Sequence, residues 1–397
     1  MSISRRNFLK NSLKFCAGVG LCILTKSFWD NFENTERIDN FLLKEAKYYR
    51  KGSNNTVQCL LCARNCVIKD KKRGFCQARI NSKGKLFSMV YGSVIITHSK
   101  DRPFRSLIYF ANDIEGLCIG TAGCNMRCKF CLASGISQVK PEDIKINNRF
   151  PFTMNKKQNK TQILPDQLIS MAKKNNVKLI HFNLNEPTIY YEYMLDVAKI
   201  AVKNGIFTML WSNAYINRDP LLELAPYLGG ASIGLKAFNN DIYKKFCSGE
   251  LSPVLDTLKL LKKQKIPFEI IYPVIPTVND DTQQIKDMCF WIKDKLGTEV
   301  PLHFYRFLPR YKLVNYPPTP ISTLESIQSL AKNTGLKYVY VFYMGDYPIP
   351  GMEEKIYCPN CKKLVLLRKN LNNLVINNTK NSCCKFCGEK LLFFIFK

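Results

Sequence analysis

Cys124, Cys128 and Cys131 stand in the stretch G-T-A-G-C-N-M-R-C-K-F-C-L. Three thiolates at C-x₃-C-x₂-C can hold three corners of a cubic iron–sulfur cluster, whereas a fourth cysteine would close it off. Three ligands leave one iron open, and an open iron can bind a small molecule. Phe130, directly before the last cysteine, adds an aromatic ring at the cluster edge. The competing chemistry is zinc, which favours paired C-x₂-C knuckles and four ligands. No fourth ligand lies within this run itself, so its spacing favours iron–sulfur.

Two further cysteine groups flank the run. Cys358 and Cys361 pair with Cys384 and Cys387 as C-P-x-C and C-x-x-C-G, which reads as a zinc ribbon. Cys383 is adjacent and could take the place of Cys384. Cys59, Cys62, Cys66 and Cys76 are also four in number. Zinc or an auxiliary cluster both fit there, and zinc is the default reading. The chain has 17 cysteines but only three histidines, His98, His181 and His303, so any second metal site must be mostly cysteine. Secreted disulfide frameworks are small and loop-rich, which 397 residues with clustered, ligand-like cysteine spacings are not.

An apolar content of 46% supports a substantial core. The net charge of +28 could mark a nucleic-acid surface, but the basic residues are scattered rather than gathered on one stripe. A compositional bias toward Lys, Asn and Ile accounts for the charge better, and nucleic acid is not excluded as a partner. S-R-R-N-F-L-K, from Ser4 to Lys10, looks like a twin-arginine export signal. The apolar run behind it, Leu13 to Leu24, is too short to span a bilayer. Residues 1–30 are set aside as a leader.

These residues need a scaffold, and the central region supplies one repeating unit. Leu117–Gly120 reads as a first strand, and Pro165 can open a helix from about 166 to 175. Strands follow near 177–183, 206–211, 231–236, 267–274, 300–307 and K-Y-V-Y-V-F. Helical periodicity fills the gaps at 188–203 (ended by Gly205), 219–226, up to 265, 280–295 and 322–333. Strand–helix alternation at this spacing predicts a parallel sheet, and six units fit a partial (β/α)6 barrel. In barrels the chemistry lies at the C-terminal ends of strands. Four parts are expected: the leader, a Cys-rich module over 31–112, the barrel over 113–345 and a zinc-ribbon-like module over 355–397. Residues 31–56 read as a polar, helical lead-in.

The cysteine triad resembles the signature of radical S-adenosylmethionine (SAM) enzymes. That resemblance implies SAM chelated on the open iron and cleaved by one electron to a 5′-deoxyadenosyl radical. Residues at the strand ends fit such a ligand. Glu186 could meet its amino group, with Asn185 and Thr188 adding neutral hydrogen bonds. A helix cap over Pro187 and Thr188 is the plainer alternative. Ser212 and Asn213 suit a ribose or carboxylate, or form an ordinary turn. Lys236 could pair with the SAM carboxylate, although one lysine carries little weight in so Lys-rich a chain. His303 could bond the ribose, although a lone histidine in an apolar run is more often a core residue.

From about 57 to 390 the chain resembles the radical SAM enzyme of the AmmeMemoRadiSam system, a relative of pyruvate formate-lyase activating enzymes. The motifs that carry this are C-L-L-C-A-R-N-C with G-F-C, the triad with I-S-Q, N-E-P-T-I-Y-Y-E-Y, L-A-P-Y-L, I-P-T-V-N-D, R-F-L-P-R-Y-K, P-P-T-P and Y-C-P-N-C. The resemblance implies a [4Fe–4S] cluster on Cys124, Cys128 and Cys131, with SAM contacts around Asn185 and Glu186. Three departures stand out: Gly234 replaces an acidic residue, S-N-A-Y replaces T-N-G-Y, and Leu308 and Arg310 replace His and Asp. A low-potential electron donor and a macromolecular substrate, a protein in the activase manner, follow from the same resemblance. The chemistry is cytoplasmic in kind while the leader points to export. The rival reading is a catalytically inactive zinc-containing module that binds nucleic acid.

Overall fold

The computed structural model describes residues 35–38, 41–98, 116–144, 162–343, 353–369, 373–381 and 383–391. The twin-arginine-like leader and the expected domain boundaries near 112 and 345 fall outside these residues.

Seven short strands come first: β1 (Thr35–Ile38), β2 (Phe41–Glu45), β3 (Tyr49–Lys51), β4 (Val57–Cys59), β5 (Val67–Ile68), β6 (Arg79–Ser82) and β7 (Lys85–Ser88). They form two antiparallel sheets, ordered β1-β2-β7-β6 and β3-β4-β5. The expected helical lead-in over 31–56 is therefore wrong where the structure describes it. Leu43 is buried with Phe87 and Met89, and β2 pairs along β7. A free sheet edge gave this segment more than a helix without an apolar stripe could.

The central sheet has eight strands: β8 (Ile95–His98), β9 (Gly116–Gly120), β10 (Leu179–Phe182), β11 (Phe207–Ser212), β12 (Gly230–Gly234), β13 (Phe268–Val274), β14 (Leu302–Arg306) and β15 (Val339–Tyr343). Their spatial order follows the sequence. β9 through β15 are all parallel, and β8 runs antiparallel against β9. Between them lie α1 (Pro165–Lys174), α2 (Tyr191–Lys203), α3 (Arg218–Leu224), α4 (Leu251–Lys263), α5 (Thr282–Lys295) and α6 (Ile321–Asn333). The strand–helix alternation expected from the sequence is thus present, closed by a seventh parallel strand.

Local chemistry fixes the helix ends. Pro165 occupies the first turn of α1, where its missing N–H costs nothing, and the Gln167 side chain accepts the Leu164 N–H at 2.9 Å. Asp281 caps α5 through the Gln284 N–H at 2.8 Å. Gly205, at φ +66°, supplies the left-handed residue after α2.

Side chains alternate across the sheet. Ile180, Phe182, Leu210, Ile233, Ile270 and Phe304 join one core with Leu168, Ala198, Leu258, Met288 and Leu324 from the helices. The opposite face carries polar and aromatic groups instead. His181 stacks near Trp211 at 6.3 Å, Ser232 donates to Glu269 at 2.7 Å, and His303 Nε2 lies 2.9 Å from Glu269.

Full burial lowers the His181 pKa to about 3, against an ordinary 6.5. Below pH 6.5 the unfolded chain takes up a proton there that the folded chain refuses. Stability should therefore fall with acidification by about 1.4 kcal/mol per pH unit from this group alone. Urea unfolding of His181→Asn between pH 6.5 and 4.5 should show a shallower slope than wild type. An unchanged slope would remove His181 as its source.

The C-terminal module holds β16 (Glu353–Tyr357), β17 (Leu364–Lys369) and β18 (Asn373–Asn377) as an antiparallel sheet, with β19 (Thr379–Lys380) paired to β20 (Cys383–Cys384). Ile356, Val365, Leu366 and Leu391 form its small core. Among the described residues, no helix is long and apolar enough to cross a membrane.

Candidate functional site

The loop leaving β9 carries Cys124, Cys128 and Cys131. The first two thiols are buried and the third is half-buried. Gly123 sits at φ +96°, and a Cβ there would collide with the Cys76 carbonyl, so glycine is required twice over. The loop is pinned from across the sheet: Arg127 N–H donates to the Cys247 carbonyl and Lys129 N–H to the Phe246 carbonyl, each at 2.8 Å. Both acceptors lie in the wide helical turn Tyr243–Cys247. Phe130 is buried in the same apolar cluster as Cys124 and Cys128.

Donors converge on the sulfurs. Met126 N–H points at Cys124 Sγ at 3.4 Å, and Asn213 Nδ2 lies 3.8 Å from it. Ser137 Oγ is 3.0 Å from Cys131 Sγ. Burial pushes the Cys124 thiol up, and the Glu186 carboxylate adds to it. Cys128 is raised well above its ordinary value, first by its hydrogen bond to Cys247 and then by burial.

Glu186 is the hub of the next two strand ends. Its Oε1 accepts the Thr188 N–H at 3.0 Å, the Thr188 hydroxyl at 2.5 Å and the Ser212 hydroxyl at 2.8 Å; its Oε2 accepts the Asn213 N–H at 2.8 Å. It both caps the turn at Pro187 and ties β10 to β11. It is buried, not a solvated loop charge. Burial raises its pKa, and the four hydrogen bonds oppose that rise. Asn185 turns toward the cysteine loop: it accepts the Thr121 N–H at 2.9 Å and donates to the Gly123 carbonyl at 2.8 Å. Asn213 Nδ2 also donates to Asn125 at 2.8 Å, beside Cys124.

Lys236 follows β12, and its ammonium lies over Gly234 where a Cβ would collide with it. That placement gives the missing acid at 234 a consequence: glycine leaves room for the lysine. Lys236 is also close enough to favour the Cys128 thiolate electrostatically. His303 is fully buried against Glu269 and 5.2 Å from the Tyr340 ring, on the sheet face that also carries Ser232.

The triad fits an iron–sulfur cluster. Its donor set is all thiolate, and N–H and O–H groups reach the sulfurs, the arrangement that tunes such clusters. Its spacing is not that of zinc. Among the described residues, the only group of three or more ligand atoms all within 4.8 Å is Cys358, Cys361, Cys384 and Cys387. There Cys358 and Cys387 approach to 3.6 Å, and Cys361 and Cys384 to 3.7 Å. Cys383 stands outside that group. Cys59, Cys62, Cys66 and Cys76 line a separate cavity against the triad loop. Sequence spacing gives no sign of Cys247 at the site, because it arrives through tertiary packing.

A mostly parallel sheet with three thiols on its first loop and polar groups on the next strand ends defines a radical SAM domain, and residues 118–289 match the Radical SAM superfamily. The chain belongs to the family of the uncharacterized protein MJ0808 of Methanocaldococcus jannaschii, to which it is 38% identical over 351 residues, 88% of this chain and 99% of that one. It is also 24% identical over 175 residues to the (2S)-3-sulfopropanediol dehydratase activating enzyme of Klebsiella oxytoca, covering 43% of this chain and 55% of the relative. Among solved structures, a radical SAM methyltransferase from Sphaerobacter thermophilus superposes with TM-score 0.44 at 13% identity over 76% of this chain and 77% of that one. A domain of pyruvate-formate lyase-activating enzyme from Bacteroides vulgatus gives TM-score 0.36 at 18% identity over 42% of this chain and 98% of that domain.

Proposed function

We propose that the chain is an activase-like radical SAM enzyme of the AmmeMemoRadiSam kind, with Cys124, Cys128 and Cys131 as ligands of its [4Fe–4S] cluster and a protein as its substrate. The observation that carries this is the convergence of the triad loop with Glu186 and Asn213 on one buried point. When bound, the cluster supplies one electron to the SAM sulfonium, which releases a 5′-deoxyadenosyl radical able to take hydrogen from a substrate.

The chain's residues do the rest. Ser212 and Asn213 offer polar groups beside the buried Glu186, whose negative charge suits the SAM amino group. Lys236, freed by Gly234, offers its ammonium to the SAM carboxylate. Burial of the triad excludes water, which would otherwise quench reactive intermediates. The activating enzyme among the relatives supports a protein substrate. The partial (β/α)6 barrel fits the seven parallel strands. Zinc in the C-terminal module is supported by its four closely spaced thiols.

Anaerobic reconstitution tests this reading. Iron and sulfide should load the protein, and reduction with SAM should yield 5′-deoxyadenosine. Iron-loaded protein that never yields the nucleoside would overturn it. Lys236→Ala should keep the iron of the wild type and weaken SAM binding about tenfold, the loss of one charge-assisted hydrogen bond. Equilibrium dialysis with labelled SAM reads this directly, and unchanged binding would remove Lys236 from the ligand site.

A further inference from the structure

We propose that Cys59, Cys62, Cys66 and Cys76 hold a second [4Fe–4S] cluster, not zinc. The four thiols line one cavity together with Arg64, Gly74 and Arg79. Their spacing separates the two chemistries. Four sulfurs around one zinc at about 2.3 Å must stand about 3.8 Å apart. The C-terminal cysteines do so, at 3.6 and 3.7 Å. No three of the N-terminal four come within 4.8 Å of one another. In this they match the Cys124 triad, which also lies outside that limit. A cubic cluster seats each thiolate on its own iron, so its ligands stand further apart than those of a single ion.

The interior of the cavity agrees. A Cβ added to Gly74 would lie 4.0 Å from Cys66 Sγ and 4.0 Å from Cys76 Sγ, which places this glycine between those two thiols. The Arg79 guanidinium is buried in the wall, where it offsets the negative charge of clustered thiolates. The Arg64 side chain closes another wall and donates to the Asn125 carbonyl at 2.6 Å. The site also abuts the first one. Asn125, Thr188 and Ile189 line it from the barrel side, and the Cys76 carbonyl packs on Gly123, next to Cys124.

Metal analysis of the full chain, purified and reconstituted without oxygen, tests the proposal in two arms. Wild type should hold about eight irons and one zinc, and Cys62→Ala/Cys66→Ala about four irons with the zinc kept. The Cys124→Ala/Cys128→Ala/Cys131→Ala variant leaves the N-terminal module untouched, so it serves even where the first variant folds poorly. It should retain about four irons, visible as a cluster signal by Mössbauer spectroscopy. A triple variant with no iron and two zincs would overturn the second cluster while leaving the proposed SAM chemistry standing. A triple variant with all the wild-type iron would refute the triad assignment instead. The two readings therefore fail separately.

Discussion

Cys128→Ala should lower 5′-deoxyadenosine formation at least about a thousandfold, a loss of roughly 4 kcal/mol or more of transition-state stabilisation. Cys128 is buried within the triad loop, and among the described residues Cys247 offers a further thiol close by. If Cys247 could replace it, a cluster would survive in altered form. Cys247, however, sits on the wide turn Tyr243–Cys247, whose carbonyls already pin the loop through Arg127 and Lys129. Moving its sulfur into the missing corner would break those contacts. Iron content and nucleoside yield should therefore fall together. Iron retained with full nucleoside yield would mean that the open-corner cluster lies elsewhere.

The second large effect is on stability. Glu192→Ala should cost about 3–5 kcal/mol, because it strands a buried charge. Arg79 Nη2 bonds Glu192 Oε2 at 2.6 Å, and both side chains are 2% exposed. The other oxygen, Oε1, accepts the Lys47 N–H at 3.0 Å. This pair fastens the N-terminal module to α2 of the central sheet. Its loss should loosen the module before the sheet unfolds, so limited proteolysis should cut the module first. Replacing both partners, Arg79→Met with Glu192→Leu, should recover much of the loss, since an apolar pair can substitute for a buried ion pair. An alanine variant as stable as wild type in urea would show that the pair is not structural.

Much of the scaffold was legible because it repeats. Apolar runs and amphipathic stretches alternate with the two periods that strands and helices impose, and Pro165 and Gly205 mark helix ends chemically. The lead-in was misread because a short edge strand draws its order from the sheet it joins. Leu43 has no neighbour in sequence that announces Phe87. The four acceptor bonds of Glu186 were not legible, since one donor is Ser212 at the end of β11 and another is Asn213 just after it. His303 reads in the sequence as a ribose contact or a core residue, and its approach to Glu269 across the sheet is set by tertiary packing alone.

The sequence by itself marked the three cysteine groups and, at the triad, the radical SAM chemistry that its family implies. Thiol spacing within a few residues is local geometry, which the backbone carries wherever the loop is placed. Tertiary structure decided what those thiols face. It brought Cys247 beside Cys128 and set Asn213 on Cys124. It spread the N-terminal four around a cavity while drawing the C-terminal four together. Distances between residues far apart in the chain are set by packing, and packing is a property of the whole fold.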